Sequence, residues 1–323
     1  MKRRWRVSVF LFPAETDRWL SVLRIGLGIV VLFSAGSLRA DWNDLYAGTG
    51  RGLVSRQLFE GLLSTQSPLL PRIGWLVWLC RGVKLSEDFA LSLAWLLLLC
   101  AGTFLLVGLF CRPAAILAWF LQLAAAKSGG LFSYGADNFT TIGLFYLMLA
   151  PWPDRWSLDW RRGAGHLINP ERLGFHRRVL QLHLSLIYFF SGLTKCLGAG
   201  WWNGENLWRA LTSPPFDILP LAWVGFWIPF LPFLGAAICL LETSYPFLIW
   251  PRWSRPWVLY GVCAMHAAIG LLMGMYLFAL IMLILNMAAF GVRSDRDEEL
   301  ETEAPAIARR LQIARQRAHI WRV

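Results

Sequence analysis

Long runs of apolar residues, separated by short polar and basic segments, dominate the chain from about residue 19 to residue 290. A bilayer's hydrocarbon core takes about 20 apolar residues of helix, and inside it only structures that satisfy their own backbone can persist. The runs therefore predict a helical membrane bundle. The predicted spans are residues 19–38, 89–110, 114–126, 139–152, 179–202 and 233–250, plus two short spans in 257–290 broken near 270–274. The segment 218–250 is too long for one straight span, and Pro220, Pro229, Pro232 and Pro246 are expected to break it into an interfacial or re-entrant piece and a span. Within the polar segment 39–88, the Trp-rich piece Ile73–Cys80 is too short to cross and is expected at the interface.

The expected architecture is an all-α polytopic membrane protein, a single bundle of about eight transmembrane helices with interfacial helices. Three regions follow from the pattern: a basic cytoplasmic arm (1–18), the membrane domain (19–291) and a charged cytoplasmic tail (292–323). The apolar piece of the arm, residues 7–12, is too short for a signal peptide and no small-residue cleavage site follows it. In the tail, Ile307, Leu311, Ala314, Ala318 and Trp321 share one helical face among arginines, the pattern of a helix lying on an anionic leaflet.

Composition supports this reading. The chain of 323 residues is 57% hydrophobic and 16% charged, with mean hydropathy +0.49, so no large soluble domain is expected. The net charge of +11 does not point to nucleic acid, because the basic residues collect in short loops between apolar runs. Arg112, the arginines of 153–178, and Arg252 with Arg255 fall on one side when both termini are cytoplasmic, as the positive-inside bias requires. The expected location is the inner, or cell, membrane of a bacterium, with the lipid bilayer as the evident partner. The six cysteines show no paired spacing and read as small buried hydrophobes; no metal site is expected.

Candidate chemistry centres on the run VLQLHLSLIYFFSGLTKCLGAGWW at 179–202. On a helix turning about 100° per residue, Gln181, Tyr188, Ser191 and Lys195 share one face. Polar and ionisable groups are costly in a bilayer and normally face a bundle interior or cavity. The alternative is a helix-end lysine that snorkels to the headgroups. Gly192 beside this face would admit a close neighbour, whereas His183 lies about 120° away and is expected to pack elsewhere. Glu242 and His266 lie inside later spans and are candidates for the same interior.

Rise along the helices places Glu242 and His266 roughly 12–14 Å from the cytoplasmic ends, where they could hydrogen-bond, and Lys195 roughly 24 Å from that side. A direct Lys195–Glu242 pair is therefore not expected, and an elongated ligand between the two layers fits better. Asp137-Asn138, after the Gly-rich segment 127–138, has the pattern of a helix N-cap.

The run Tyr188-Phe189-Phe190-Ser191-Gly192-Leu193-Thr194-Lys195, followed by Trp201, Trp202 and Gly204, resembles the Y-F-x-[AS]-G-x-x-K…W…G pattern of the horizontally transferred transmembrane domain. That domain is the membrane part of the vitamin K-dependent γ-carboxylases. Ser157-Leu158-Asp159, Glu242 and His266 match further positions, and the resemblance covers most of 19–290. It implies a lysine, Lys195, that deprotonates a hydroquinone (vitamin K or another membrane quinone), with His266 near the ring. Gln181, Tyr188, Ser191, Glu242 and Asn138 would help bind it. Oxidation by O2 then yields a strong base, which removes a γ-proton from a glutamate side chain before CO2 adds. A lysine base must be neutral, which apolar surroundings favour.

Two departures stand out: Asn138-Phe139 replaces the family's Asn-His pair, and the tail is short where the carboxylases carry an extramembrane domain. Two function classes remain open. One is a carboxylase-like enzyme acting near the extracytoplasmic face; the other is a non-catalytic scaffold, or a lipid- or quinone-binding partner, that keeps the fold. A transporter is disfavoured because the spans show no inverted repeat.

Overall fold

The computed structural model describes residues 6–48, 55–130, 133–164 and 169–292, and these are helical with no strand among them. In order, the helices are α1 (Arg6–Leu11), α2 (Arg18–Ser37), α3 (Trp42–Leu45), α4 (Arg56–Gln66), α5 (Ile73–Gly82), α6 (Glu87–Val107), α7 (Cys111–Ser128) and α8 (Gly135–Leu149). They continue with α9 (Pro170–Cys196), α10 (Ala199–Trp202), α11 (Glu205–Thr212), α12 (Leu221–Trp227), α13 (Leu231–Leu248), α14 (Arg255–Met273) and α15 (Tyr276–Asn286). Four helical segments are long and apolar enough to cross a membrane: Arg18–Ser37, Glu87–Val107, Leu221–Leu248 and Arg255–Met273. The basic amphipathic tail lies outside the described residues.

α2 is the central pillar. Leu20, Leu23, Leu27, Val30 and Val31 are buried against α6, α8 and α15, and α2 approaches α6 backbone to backbone. A Cβ at Gly28 would sit 2.8 Å from the Leu106 amide nitrogen, so the contact tolerates only glycine there. Small residues at such crossings bring helix backbones within van der Waals reach. Local chemistry sets the helix ends: Ser86 caps α6 through the Phe89 amide at 3.1 Å, and Asn169 caps α9 ahead of Pro170. Asp159, distant in sequence, accepts from the Phe110 and Cys111 amides at 3.0 and 2.8 Å and so caps α7.

Charged residues close both ends of the bundle. Arg24, wholly buried within α2, donates to both carboxylate oxygens of Asp154 at 2.7 and 3.1 Å and to the Leu105 carbonyl at 2.7 Å. Ser21 adds a 2.6 Å bond to the same carboxylate. At the same end Arg177 pairs with Glu15 at 2.6 Å, and Asp17 pairs with Arg155. The residues before α2 are thus held down: Phe12 stacks on Phe175, and Arg178 lies over the Phe10 ring. At the other end, Arg56 bonds the Tyr46 carbonyl, Glu60 and Glu87, while Ser128 of α7 bonds Glu60 at 2.6 Å. The described residues of the polar segment 39–88 therefore form a cap built on α3, α4 and α5.

The prolines of 218–250 do not interrupt the helical path. Pro229 and Pro232 occupy first-turn positions of a 3-10 turn and of α13, where no backbone donor is needed, and helical dihedrals run through the junction. The expected break near 270–274 is present: Gly274 adopts φ 70°, ending α14 before α15 begins.

Breaking the Arg24–Asp154 pair singly leaves a buried charge without its partner. Asp154→Ala should lower unfolding stability in detergent by about 3–5 kcal/mol. The double substitution Arg24→Met/Asp154→Leu should lose markedly less, as measured by thermal unfolding.

Candidate functional site

The site is built on the pairing of α9 with α13. The helices run antiparallel: Gly235, near the start of α13, faces the Trp201 carbonyl just beyond α9, while Arg178 lies over the Trp250 ring 4.9 Å away at the opposite end. Between these points the backbones touch, for a Cβ on Gly192 would lie 2.4 Å from the Thr243 nitrogen. Gly192 thus has the role its position suggested, with α13 as the neighbour.

This contact overturns the expected separation of Lys195 from Glu242. Lys195 Nζ lies 2.6 Å from Glu242 Oε2 and donates to Ser191 Oγ at 2.6 Å. The rise estimate compared Cα depths and took the helix ends as level. Side chains on a helix lean toward its N-terminus. On α9 that lean carries Lys195 back one turn to Ser191; on the antiparallel α13 it carries Glu242 toward Lys195. The Gly192–Thr243 contact puts Glu242 level with Gly192, so the Lys195 backbone is only three residues, roughly 5 Å, further along, and the two leans close that distance. Glu242 is 7% exposed and Lys195 20% exposed, so the pair is largely dry yet reachable from the lysine's side. The indole of Trp201 lies 5.3 Å from Nζ and covers that side with an aromatic face.

His266 bonds Tyr188, not Glu242. The Tyr188 hydroxyl lies 2.8 Å from His266 Nε2 and accepts from Asn286 Nδ2 at 2.8 Å; Tyr245 donates to Asn286 Oδ1 at 2.9 Å. The network assigns its own protons. The Met282 carbonyl can only accept, so the Asn286 nitrogen faces it. Tyr188 therefore accepts from Asn286 and donates its proton to Nε2. Neutral His266 then carries its proton on Nδ1, a buried atom with no hydrogen-bond partner in the described structure. Tyr188 and Tyr245 also pack ring to ring, with centroids 4.2 Å apart.

Other expected members lie elsewhere. Gln181 donates to the Ala289 carbonyl at 2.6 Å and accepts from Arg178, near the opposite end of α9 from Lys195. His183 packs on α8 against Tyr146, as its angular position required. Asn138 is exposed in the first turn of α8, outside the Lys195 cluster. The cap of α8 is also not Asp137-Asn138: Tyr134 holds the N-cap position, and Asp137 reaches back to its amide at 3.1 Å. Phe139 packs on Phe278, whose ring centroid is 5.6 Å from that of His266. Tyr245 and Asn286 are members the sequence reading did not single out. Their signals were a hydroxyl three residues after Glu242 on the same face, and a lone amide in the apolar run of α15.

A separate cavity of about 260 Å³ lies where α2, α7 and α8 meet α3, lined by Tyr46, Asp137 and Thr140 among others. Burial, and secondarily the Asp137 carboxylate, push the Tyr46 phenol well above its ordinary value. No metal-holding group of histidine, cysteine and carboxylate residues occurs among the described residues. No protein-family model matches the chain, and neither a search of curated proteins nor one of solved structures finds a match.

Tyr188→Phe keeps the ring but removes the group that satisfies both His266 Nε2 and Asn286 Nδ2. The expected cost is about 1–3 kcal/mol, read by thermal unfolding in detergent. Gly192→Leu forces a side chain into the α13 backbone and should abolish the folded bundle, read by size-exclusion chromatography in detergent.

Proposed function

We propose that the chain is an integral membrane protein of eight spans in a bacterial cell membrane, with both termini cytoplasmic. In this reading it is a quinone-handling enzyme resembling the membrane domain of the vitamin K-dependent γ-carboxylases. The observation that carries the reading is Lys195, clamped between Ser191 and Glu242 with a carboxylate at 2.6 Å and one side reachable. Apolar helices at the eight predicted segments support the topology, as do Arg112, Arg155, Arg177 and Arg178 at the end read as cytoplasmic.

The residues present suit an aromatic ring bearing two oxygens. The unpartnered, buried Nδ1–H of His266 is a donor for one oxygen, and Lys195 addresses another. Trp201 supplies a flat apolar wall. A hydroquinone held there would, with O2, supply the strong base that removes a carbon-bound proton before CO2 adds.

The chain's own residues prepare that chemistry. Glu242 fixes the position of the Lys195 nitrogen, the group that would take the phenolic proton. Ser191 holds Nζ at the Glu242 level. Tyr188, fixed by Asn286, keeps the His266 proton on Nδ1 and so keeps a buried donor without a protein partner.

The second reading is a scaffold or lipid-binding partner that keeps the fold without turnover. Phe139 favours it, since this apolar ring stands where the carboxylases have a histidine and packs on Phe278 beside His266. Mass spectrometry of co-purifying lipids separates the two. The enzyme reading predicts a bound quinone in the wild type and at least tenfold less in Lys195→Ala. Equal quinone content, or none in either, supports the scaffold. His266→Ala should also lower quinone content, while Asn138→Ala should leave it unchanged.

A further inference from the structure

Two side chains beside Lys195 take no part in its acid–base chemistry. Cys196 follows it at the end of α9, and Cys239 precedes Glu242 by three residues on α13. The helix register places them together. Gly192 touches the backbone at Thr243, and the helices are antiparallel. One turn onward in α9 is Cys196; one turn back in α13 is Cys239. The two thiols therefore face each other across the closest part of the interface. Cys196 Sγ lies 3.4 Å from Thr243 Oγ1, which places the thiol at this contact. Cys239 is buried and Cys196 half-buried, with Trp202 donating to the Cys196 carbonyl at 2.8 Å. Helices this close allow the short Cβ–Cβ separation that a disulfide needs.

We propose that Cys196 and Cys239 form a dithiol–disulfide couple that reduces a quinone seated against Lys195. Two S–H bonds break and one S–S bond forms. The two electrons and two protons pass to the two quinone oxygens, which become the hydroxyls of a hydroquinone. The attacking sulfur must be a thiolate, and the Lys195–Glu242 pair, next to Cys196, is the proton relay at hand. A soluble dithiol reaching half-buried Cys196 restores both thiols by exchange and is itself left as a disulfide. The inference rests on the reading that a quinone sits at Lys195, and it names the class of reaction that would supply the hydroquinone that reading consumes.

The test uses the full chain in detergent, reduced with a dithiol, desalted and kept anaerobic. The probe is duroquinone, whose fully substituted ring blocks addition of thiols. After denaturation, free thiols are counted by maleimide labelling and intact mass. The expected result is a loss of two labels from the six cysteines, mapped to residues 196 and 239, with one equivalent of duroquinol per chain. Cys196→Ser and Cys239→Ser should each keep all five remaining labels and form duroquinol at least tenfold more slowly. The wild-type mapping needs no variant, so it stands even if a substitution fails to fold. Unchanged labelling, or loss at other cysteines, overturns the couple. If the wild type still co-purifies with a quinone in that case, the Lys195 site survives and only the dithiol fails. Disulfide formation with diamide but not with duroquinone also overturns the proposal, because the pair would then be uncoupled from the quinone.

Discussion

Everything at the candidate site depends on one backbone contact, that of Gly192 with α13 at Thr243. A side chain at that position would hold the helices apart. Because there is none, the antiparallel leans of Lys195 and Glu242 close onto each other, Tyr188 reaches the Tyr245 ring, and Cys196 stands opposite Cys239. An isolated lysine or glutamate in an apolar bundle is costly; hydrogen-bonded to each other and to Ser191, the two are tolerable. The contact turns two separately unfavourable residues into one ion pair.

The surrounding fold keeps this interface in register. The buried Arg24–Asp154 pair ties α2 to the segment after α8, and Arg177 ties α9 to Glu15 and to the carbonyls of Ala289 and Val292. Beneath the Lys195 pair, Tyr188, Asn286 and Tyr245 link α9, α15 and α13 through side chains alone, and His266 joins them from α14. Four helices thus meet at one polar layer. The shared layer limits how far any of them can slide while the lysine's outer side stays reachable.

Much of the scaffold was legible in the apolar pattern. Eight helices occupy the eight predicted segments, and the break at Gly274 falls where expected. Gly192, and the face shared by Tyr188, Ser191 and Lys195, were legible because helical periodicity is a local property. The Lys195–Glu242 pair was not, because rise counted from assumed helix ends misses the register that the Gly192–Thr243 contact sets and ignores the direction of each side chain. Arg24 and Asp154 are 130 positions apart, so no local pattern could join them. The prolines of 218–250 mark the division into α12 and α13, but a 3-10 turn keeps the path helical where a break was expected. Pro229 and Pro232 fall at first-turn positions, which need no donor, and Pro246 lies two residues before the end of α13. Asn138 was drawn into the site by its place in a sequence pattern, while its side chain lies exposed outside the Lys195 cluster.

The account stands on Lys195 and Glu242 acting as one unit, and a double-mutant cycle measures that most directly. Lys195→Ala, Glu242→Gln and their combination are compared for unfolding free energy and for affinity toward an added quinone. The account predicts strong coupling in both, at least about 1.4 kcal/mol or tenfold, with the double variant little worse than either single one. Additive effects in both measurements would contradict it.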